Sequence, residues 1–165
     1  METTIAIPDA FGAHLAQVTT AIGDRPLNKA LEASLNHDFG RDSAWFKEAT
    51  TQCITGMAAG WLGTQKFGPV RFSRAIHPGG ATSQFSVDVV EMDDVAGPYH
   101  GHPTGEIDLI MPLDDAAVFD GYGAGWTVYE PGTAHFPTVS GGKALVLYLL
   151  PEGAIDFTVQ ENVDA

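Results

Sequence analysis

The sequence contains a single cysteine, Cys53, and no apolar run that approaches the roughly 18 residues of a membrane span. One cysteine excludes an intrachain disulfide, which is typical of a reducing compartment. No basic residue adjoins Cys53, so we expect this thiol to pack in a helix and not to react. The first ten residues, METTIAIPDA, do not form a secretory leader. We therefore expect a cytoplasmic location.

Basic residues are also scarce, with 8 Lys and Arg against 21 Asp and Glu and a formal net charge of −13. Such a chain repels phosphate backbones and anionic lipid surfaces. This balance argues against nucleic acid and membranes as partners. An anionic substrate would need one of the few arginines or lysines inside its binding site.

Charged residues make up only 18% of the 165 residues, and hydrophobic residues make up 44%. This composition is that of a globular chain long enough to bury one core. Most of the 19 glycines and 10 prolines follow residue 55. Because both residues favour turns, the second part of the chain is expected to be mainly β.

Residues 9–62 show the three-and-four spacing of helices. Gly23 and Pro26 separate a first helix from a second, Gly40 ends the second, and Ser43 could cap a third that runs from about 44 to 61. The apolar residues expected to form the buried helix faces are Phe11, Leu15, Val18, Ile22, Leu27, Leu31, Leu35, Trp45, Ala49, Ile54 and Trp61. These patterns predict three short helices ahead of the sheet.

From residue 66 onward the apolar pattern changes to short segments separated by glycine or proline. Within one of them, Phe85, Val87 and Val89 alternate with Ser86 and Asp88, as in a strand with one buried face. The predicted strands are 70–76, 84–92, 106–111, 126–130, 144–150 and 155–160. Strands without intervening helices indicate an antiparallel sandwich or barrel. We expect residues 1–64 to pack on a barrel formed by 65–165.

Four residues have the spacing of a metal site: His100, His102, Glu106 and His135. On an extended strand, His100 and His102 point to the same side. Glu106 follows across a turn, and a Pro-Gly turn precedes His135. Three imidazoles and a carboxylate leave open positions on a divalent ion, as in catalytic sites. This ligand set suits iron, manganese, zinc, nickel or cobalt, and the sequence does not choose among them.

The spacing H-x-H-x(3)-E with P-G-x-x-H downstream resembles the two motifs of the cupin superfamily. The resemblance implies a single jelly-roll β-barrel with the ion inside. An alternative stays open, because some barrels of this kind bind a ligand without any metal. In that case the histidines would be exposed turn residues and Glu106 a solvated strand start.

Either of two arginines could face the interior of this barrel. Arg71 and Arg74 lie on opposite faces of the strand 70–76, so whichever face turns inward carries a guanidinium. A substrate carboxylate would give a buried arginine its partner, although a surface ion pair explains either residue equally well. Glu130 and Glu91 are candidate acid–base groups. Three tyrosines also lie near the presumed site, and they could contact a substrate ring or belong only to the core: Tyr99, Tyr129 and Tyr148.

Helices leading into one barrel, with the segments GPYHGHPTGEIDLIMPL and GWTVYEPGTAHFPTV, resemble the 4-hydroxylaminobenzoate lyase family. This resemblance implies conversion of 4-hydroxylaminobenzoate and water into 3,4-dihydroxybenzoate and ammonia, with a metal ion as Lewis acid. It implies that Arg71 or Arg74 holds the substrate carboxylate and that Tyr99 or Trp126 orients the ring. Glu130 and Tyr99 are the candidate catalytic groups. We expect a homodimer.

Two other functions use the same residues. A cupin dioxygenase acting on an aromatic or thiol compound would hold iron with the same three histidines and one glutamate. A regulatory or ligand-binding cupin would have a pocket without a metal. Oxygen consumption and metal content separate these alternatives from the lyase.

Overall fold

The computed structural model describes residues 5–160. Within that range the chain begins with three helices, α1 (Asp9–Ile22), α2 (Lys29–Asp38) and α3 (Ala44–Ala59). The Asn28 side chain accepts a hydrogen bond from the backbone N–H of Leu31, and Ser43 accepts one from Phe46, so side chains cap α2 and α3. The three predicted helices are confirmed.

The buried face of α3 differs from the predicted one in one residue. Cys53 lies on this face, and burial raises the pKa of its thiol to about 12, consistent with a packing role. Ile54 is 45% exposed, because it follows Cys53 by one residue and so points about 100° away from the buried stripe. Its predicted core contact was wrong. The helix also ends at Ala59, before Trp61, where Gly60 adopts a φ of +88°.

The remaining described residues contain nine strands. They are β1 (Gln65–Phe67), β2 (Val70–Ile76), β3 (Phe85–Ala96), β4 (His100–His102), β5 (Glu106–Pro112), β6 (Val118–Phe119), β7 (Gly125–Tyr129), β8 (Thr133–His135) and β9 (Thr138–Pro151). The large sheet is antiparallel with the order β1-β2-β3-β9-β5-β7, and β6 also pairs with β9. Strands β4 and β8 form a separate small sheet. The fold is therefore mainly β with an N-terminal helical segment, the predicted jelly-roll architecture.

One predicted strand is absent from its place. Residues 155–160 form no strand, and only Asp156 makes an isolated bridge, with Gly101 of β4. A turn held by the Asp156 side chain, which accepts from the N–H and hydroxyl of Thr158, interrupts the extended backbone. The segment instead lies against the strand that carries two of the proposed metal ligands.

The large sheet is buried on both faces. Its outer face packs against the helices, with residues such as Val87, Leu109 and Leu147, while its inner face contributes Val90 and Val146 to a second core. The expectation of a single buried face for β3 was therefore wrong, because the face that carries Ser86 and Asp88 lines the inside. The division of the chain at residues 64 and 65 stays a prediction, since the helices and the sheet share one core.

Helix α2 is attached to the sheet by polar side chains that bond the backbone of β7. The Asn36 amide donates to the carbonyl of Trp126 and accepts from its N–H, at 3.0 and 2.8 Å. Glu32 accepts from the N–H of Val128 at 2.9 Å and from the Thr127 hydroxyl. These bonds supply the edge strand β7 with partners that a further strand would otherwise provide. None of the helices in the described part of the chain is long and apolar enough to cross a membrane.

Candidate metal centre

The small sheet brings the three motif histidines together. In the antiparallel ladder between β4 and β8, His100 lies directly opposite His135, and His102 lies opposite Thr133. His100 and His102 are two residues apart on an extended strand and so share one face. Glu106 reaches the same point from the first position of β5, in the large sheet, after a turn in which Gly105 has a φ of +86°.

The four side chains converge at short distances. The Nε2 atoms of His100, His102 and His135 lie 3.4, 3.2 and 3.5 Å from the carboxylate oxygens of Glu106. Nε2 of His135 is also 3.3 Å from Nε2 of His100. Ligands held about 2.1 Å from one ion at angles of 90–109° are separated by about 3.0–3.4 Å. These four separations lie in or just above that range, and all four ligand atoms lie within 4.8 Å of one another, so the group could hold a single divalent ion.

The polar atoms at this point have no other partner among the described residues. Glu106 and His102 are fully buried, and both Glu106 oxygens and Nε2 of His102 make no hydrogen bond. Orphaned buried polar atoms are costly, so a cluster of them indicates a missing binding partner. A cation would satisfy all of them at once, and the donor set of three nitrogens and a carboxylate suits a first-row transition metal.

The opposite ring nitrogens are oriented by hydrogen bonds. Nδ1 of His100 is 3.2 Å from the carbonyl of Pro98, and Nδ1 of His102 is 3.0 Å from the hydroxyl of Thr133. Because that hydroxyl donates its own proton to the Glu130 carbonyl, its oxygen accepts from His102. A carbonyl and an accepting hydroxyl require Nδ1–H, which leaves Nε2 free to bind a metal.

His135 is oriented by a carboxylate. Its Nδ1 lies 2.6 Å from Oδ2 of Asp120, and the same oxygen accepts the hydroxyl proton of Tyr129 at 2.6 Å. Burial alone would lower the pKa of His135, but the hydrogen bond to Asp120 and the nearby carboxylate of Glu106 raise it to about 9. Burial likewise opposes ionisation of Glu106, yet the three histidines hold the pKa of this carboxyl well below its usual range.

A cavity of about 550 Å³ opens beside the ligands. His100, Arg74 and Asp88 contribute polar groups to its lining. Most of the remaining wall is apolar, made of Phe67, Val70, Phe72, Val90, Met92, Pro98, Pro137, Ile155 and Phe157. A cavity of this volume and character accepts a small aromatic molecule with one or two polar ends.

The two arginines have separate surroundings. Arg74 faces the cavity, where Nε and Nη2 donate to the carboxylate of Asp88 at 2.8 and 3.2 Å. Nη2 also donates to the carbonyl of Gly153, whereas Nη1 makes no hydrogen bond to the described residues. Arg71 points to the other face, donates to the Met57 carbonyl and lies 3.9 Å from Glu91.

Three further candidates lie away from the cavity wall. Trp126 is buried between the sheet and the helices, where its indole stacks on Trp45 and donates to the carbonyl of Phe39. Glu130 is exposed, and only its backbone carbonyl is connected to the ligands. Tyr99 is half-buried and packs edge-on against Phe136, next in sequence to the cavity residue Pro98.

The sequence interpretation missed three acidic residues near the ligands: Asp88, Asp108 and Asp120. Asp108 is fully buried two residues after Glu106, and neither of its oxygens has a hydrogen-bond partner among the described residues. Burial and the neighbouring Glu106 raise the pKa of Asp108 well above its usual value. Its spacing from Glu106 was a usable signal, because strand residues two apart share a face. No comparable signal marked Asp120.

Several of these side chains are aligned across the large sheet. Register pairs join Arg74 to Asp88, Asp88 to Tyr148, Tyr148 to Asp108, and Asp108 to Thr127. The result is a row of polar side chains across the inner face of five neighbouring strands, β2, β3, β9, β5 and β7. Such a row gives an otherwise apolar interior a few fixed polar groups.

A sequence model of the 4-hydroxylaminobenzoate lyases matches residues 13–157. The chain belongs to the 4-hydroxylaminobenzoate lyase family. The 4-hydroxylaminobenzoate lyase of Pseudomonas putida is 35% identical over 156 residues, covering 84% of this chain and 89% of the relative. The 4-hydroxylaminobenzoate lyase of a Nocardioides species, strain LMS-CY, is 32% identical over 145 residues, covering 82% and 86%. The family predicted from the two sequence segments is confirmed.

Solved structures similar to this member of the 4-hydroxylaminobenzoate lyase family include cupins and a lyase. The DMSP lyase DddQ from Ruegeria pomeroyi is 19% identical with a TM-score of 0.41, covering 95% of this chain and 100% of that structure. An RmlC-like cupin from Ralstonia eutropha is 12% identical with a TM-score of 0.41, covering 59% and 66%. The jelly roll and the converging motif residues identify the fold as a single cupin.

Proposed function

We propose that this chain is a metal-dependent lyase that converts 4-hydroxylaminobenzoate and water into 3,4-dihydroxybenzoate and ammonia. The observation that supports this most directly is the convergence of three imidazoles and Glu106 on one point beside an apolar cavity. Membership of the lyase family supplies the substrate, since the curated relatives are named for it.

The reaction balances without an external oxidant. The N–O bond of the substrate breaks, and nitrogen leaves at the oxidation level of ammonia. The oxygen released from nitrogen bonds to the adjacent ring carbon, which loses its hydrogen as a proton and gives up the two electrons that nitrogen gains. Water replaces nitrogen on the other carbon, and loss of ammonia restores the aromatic ring. The protein therefore needs to polarise the N–O bond and to move protons.

The metal would be held by His100, His102, Glu106 and His135. When bound, it supplies Lewis acidity that polarises an oxygen of the substrate. The protein fixes the four ligands, because each histidine has its Nδ1 engaged and its Nε2 directed inward. The mostly apolar wall lowers the local dielectric constant, which strengthens the interactions of charged groups in the cavity.

Arg74 is the residue that we propose for the substrate carboxylate. It lies on the cavity wall, and its Nη1 amino group has N–H donors left for an anion. Asp88 fixes the guanidinium plane through two hydrogen bonds, which orients those donors before the substrate arrives. Arg71 has no part in this proposal, because it lies on the opposite face of β2.

Tyr99 stays a candidate catalytic group at the edge of the cavity, beside Pro98 and His100. Trp126 and Glu130 are not part of the proposal. The Trp126 indole is enclosed by the helix core, and the exposed Glu130 side chain does not line the cavity. Tyr148 takes the place of Trp126 in the proposal, as an aromatic residue that does line the cavity.

The test is a direct assay of purified protein with 4-hydroxylaminobenzoate under nitrogen gas. We expect ammonia and 3,4-dihydroxybenzoate in equal amounts from metal-loaded protein and neither product after chelation. Product formation that requires oxygen would replace the lyase with a dioxygenase. Full activity of thoroughly chelated protein would remove the metal from the proposal.

A homodimer and a cytoplasmic location complete the proposal. The single cysteine fits a reducing compartment. Light scattering of the purified chain measures the oligomeric state, with twice the 17.5 kDa chain mass as the expected value.

A further inference from the structure

Asp120 lies outside the two motif segments, in the turn after β6, and its carboxylate is a junction of three hydrogen bonds. Oδ2 accepts from Nδ1 of His135 and from the Tyr129 hydroxyl, both at 2.6 Å, while Oδ1 accepts from the N–H of Thr138 at 2.9 Å. The Asp120 backbone has a φ of +50°, a left-handed conformation that aspartate and asparagine tolerate best among non-glycine residues. Asp120 is thus held in one orientation.

His135 needs such a partner more than the other two histidines do. Its side chain is 13% exposed, whereas those of His100 and His102 are almost fully buried. It also lies at the end of the short strand β8, followed by two residues outside any strand. Packing therefore restrains the His135 ring less than the other two rings, and its orientation depends more on hydrogen bonding.

The chemistry of the contact determines which ring nitrogen carries the proton. An ionised carboxylate has no proton to donate, so Nδ1 of His135 must be the donor. With the proton on Nδ1, the lone pair of Nε2 points toward Glu106 and the other two imidazoles. A carbonyl and a hydroxyl orient His100 and His102 in the same sense, but among the described residues only His135 has a charged partner at Nδ1.

We propose that Asp120 is a positioning residue of the metal centre, which fixes His135 in the tautomer and orientation that bind the ion. This inference rests on the proposed metal centre and adds a residue to it. Carboxylates behind metal-bound histidines typically contribute roughly 10- to 100-fold to metal affinity. Asp120 acts only through His135.

Asp120→Asn is the informative variant. Asparagine has the same shape, tolerates a positive φ, and can keep its carbonyl oxygen on the N–H of Thr138. Its amide nitrogen replaces Oδ2 and can only donate, so His135 would have to accept at Nδ1 and carry its proton on Nε2. That tautomer cannot bind the ion through Nε2.

Tyr129→Phe is the matched control. It removes the other hydrogen bond to the same carboxylate oxygen and leaves the bond between Asp120 and His135 in place. The ring stays available for its packing against His135, where the ring centroids lie 4.6 Å apart. A general loosening of this junction would affect both variants, whereas loss of the histidine orientation affects Asp120→Asn alone.

The measurement is a titration of chelated protein with Co²⁺, followed by the visible absorption of the bound ion. We expect Asp120→Asn to bind Co²⁺ roughly 10- to 100-fold more weakly, with an altered absorption band. We expect Tyr129→Phe to keep the wild-type band and affinity, and both metal-free variants to stay folded and to melt in a single cooperative transition. Equal affinity of Asp120→Asn and the wild type would overturn the inference while leaving the metal centre intact.

A second measurement needs no variant. In Zn²⁺-loaded protein labelled with ¹⁵N at histidine, we expect the NMR signals of His135 to report a proton on Nδ1 and metal on Nε2. A proton on Nε2, or Zn²⁺ on Nδ1, would overturn the inference by itself. Failure of the wild-type protein to bind either ion would overturn both this inference and the proposed metal centre.

Discussion

The guanidinium of Arg74 donates two hydrogen bonds to the carboxylate of Asp88, from Nε at 2.8 Å and from Nη2 at 3.2 Å. Both residues line the cavity that His100 also lines. This pairing leaves Nη1 free and fixes its direction. The pair lies at one end of the polar row across the large sheet. Glu106 belongs to β5, three strands away from β2 in the sheet order, beyond β3 and β9. A substrate bound by both ends would cross the inner face of the sheet.

Arg74→Met should raise KM for 4-hydroxylaminobenzoate and leave kcat less affected, because the carboxylate is remote from the N–O bond that reacts. A hydrogen bond to a charged group contributes about 1.5–3 kcal/mol, so kcat/KM should fall about 10- to 100-fold. Steady-state kinetics of ammonia release measures both constants. The pKa of Asp88 should rise further without its partner, since burial already raises the pKa of this carboxyl and Arg74 opposes that rise.

Arg71→Met is the control for that prediction. Arg71 occupies the same strand but faces the helices, and its substitution should leave KM unchanged. Phenylhydroxylamine, which lacks the carboxylate, provides the complementary test, since wild type and Arg74→Met should process it alike. An unchanged KM in Arg74→Met would remove Arg74 from the substrate site.

Glu106→Gln should abolish stoichiometric metal binding. The substitution keeps the size of the side chain but replaces a charged ligand by a neutral amide in a fully buried position. Elemental analysis of the purified variant measures the effect. His77→Gln, at an exposed position outside the cluster, should retain the wild-type metal content. Normal metal content in Glu106→Gln would mean that this carboxylate is not a ligand.

The stability of the chelated protein should depend on pH through His135. The pKa of His135 rises from an ordinary value of 6.5 to about 9 in the folded chain, so its contribution is complete below pH 6.5 and is lost as pH rises through 9. The melting temperature of the chelated protein should therefore fall across this window. Calorimetry at a series of pH values measures it, and His135→Gln should lack this part of the fall.

The metal-loaded protein should respond in the opposite sense. Metal binding requires neutral imidazoles, so protons compete with the ion and affinity increases as pH rises. The wild-type protein should thus bind Co²⁺ more tightly over the same pH range in which the melting temperature of the chelated protein falls. Parallel pH dependences of affinity and of metal-free stability would contradict the assignment of His135 as a ligand.

Asn36→Ala should destabilise the fold without affecting the metal. The Asn36 amide makes two hydrogen bonds to the backbone of Trp126, and each such bond contributes about 1 kcal/mol, so we expect a loss of roughly 1–3 kcal/mol. Urea unfolding measures the loss. His37→Ala, at the next residue and exposed, should change stability little. A null result for Asn36→Ala would mean that apolar packing alone holds α2 on the sheet.

The four ligands could be predicted because the local pattern of the chain determines which way each side chain points. His100 and His102 share a face through strand geometry, and turns place Glu106 and His135 beside them. The second layer could not be predicted in this way. Asp120 contacts His135, which lies 15 positions later in the chain, and no local pattern encodes that contact.

The errors have a common physical origin. The alternation in 84–92 predicts one buried face and leaves Asp88 on the other, and the family resemblance implies that Trp126 orients the substrate ring. Alternation along a strand reveals two faces but not which of them lies inside. In this fold both faces of the large sheet are buried, so hydrophobicity does not separate them. The apolar alternation in 155–160 likewise resembles a strand, although no neighbouring strand pairs with it beyond a single bridge.

The proposed ligands are divided unequally between the two sheets, with three imidazoles on the small one and a single carboxylate on the large one. An ion at this point would link the small sheet to the large sheet. Removal of the ion should destabilise the three-residue strands β4 and β8 before the rest of the fold. Their amide protons should then exchange faster with solvent than those of β9. Binding of the ion would therefore also hold the small sheet against the large one.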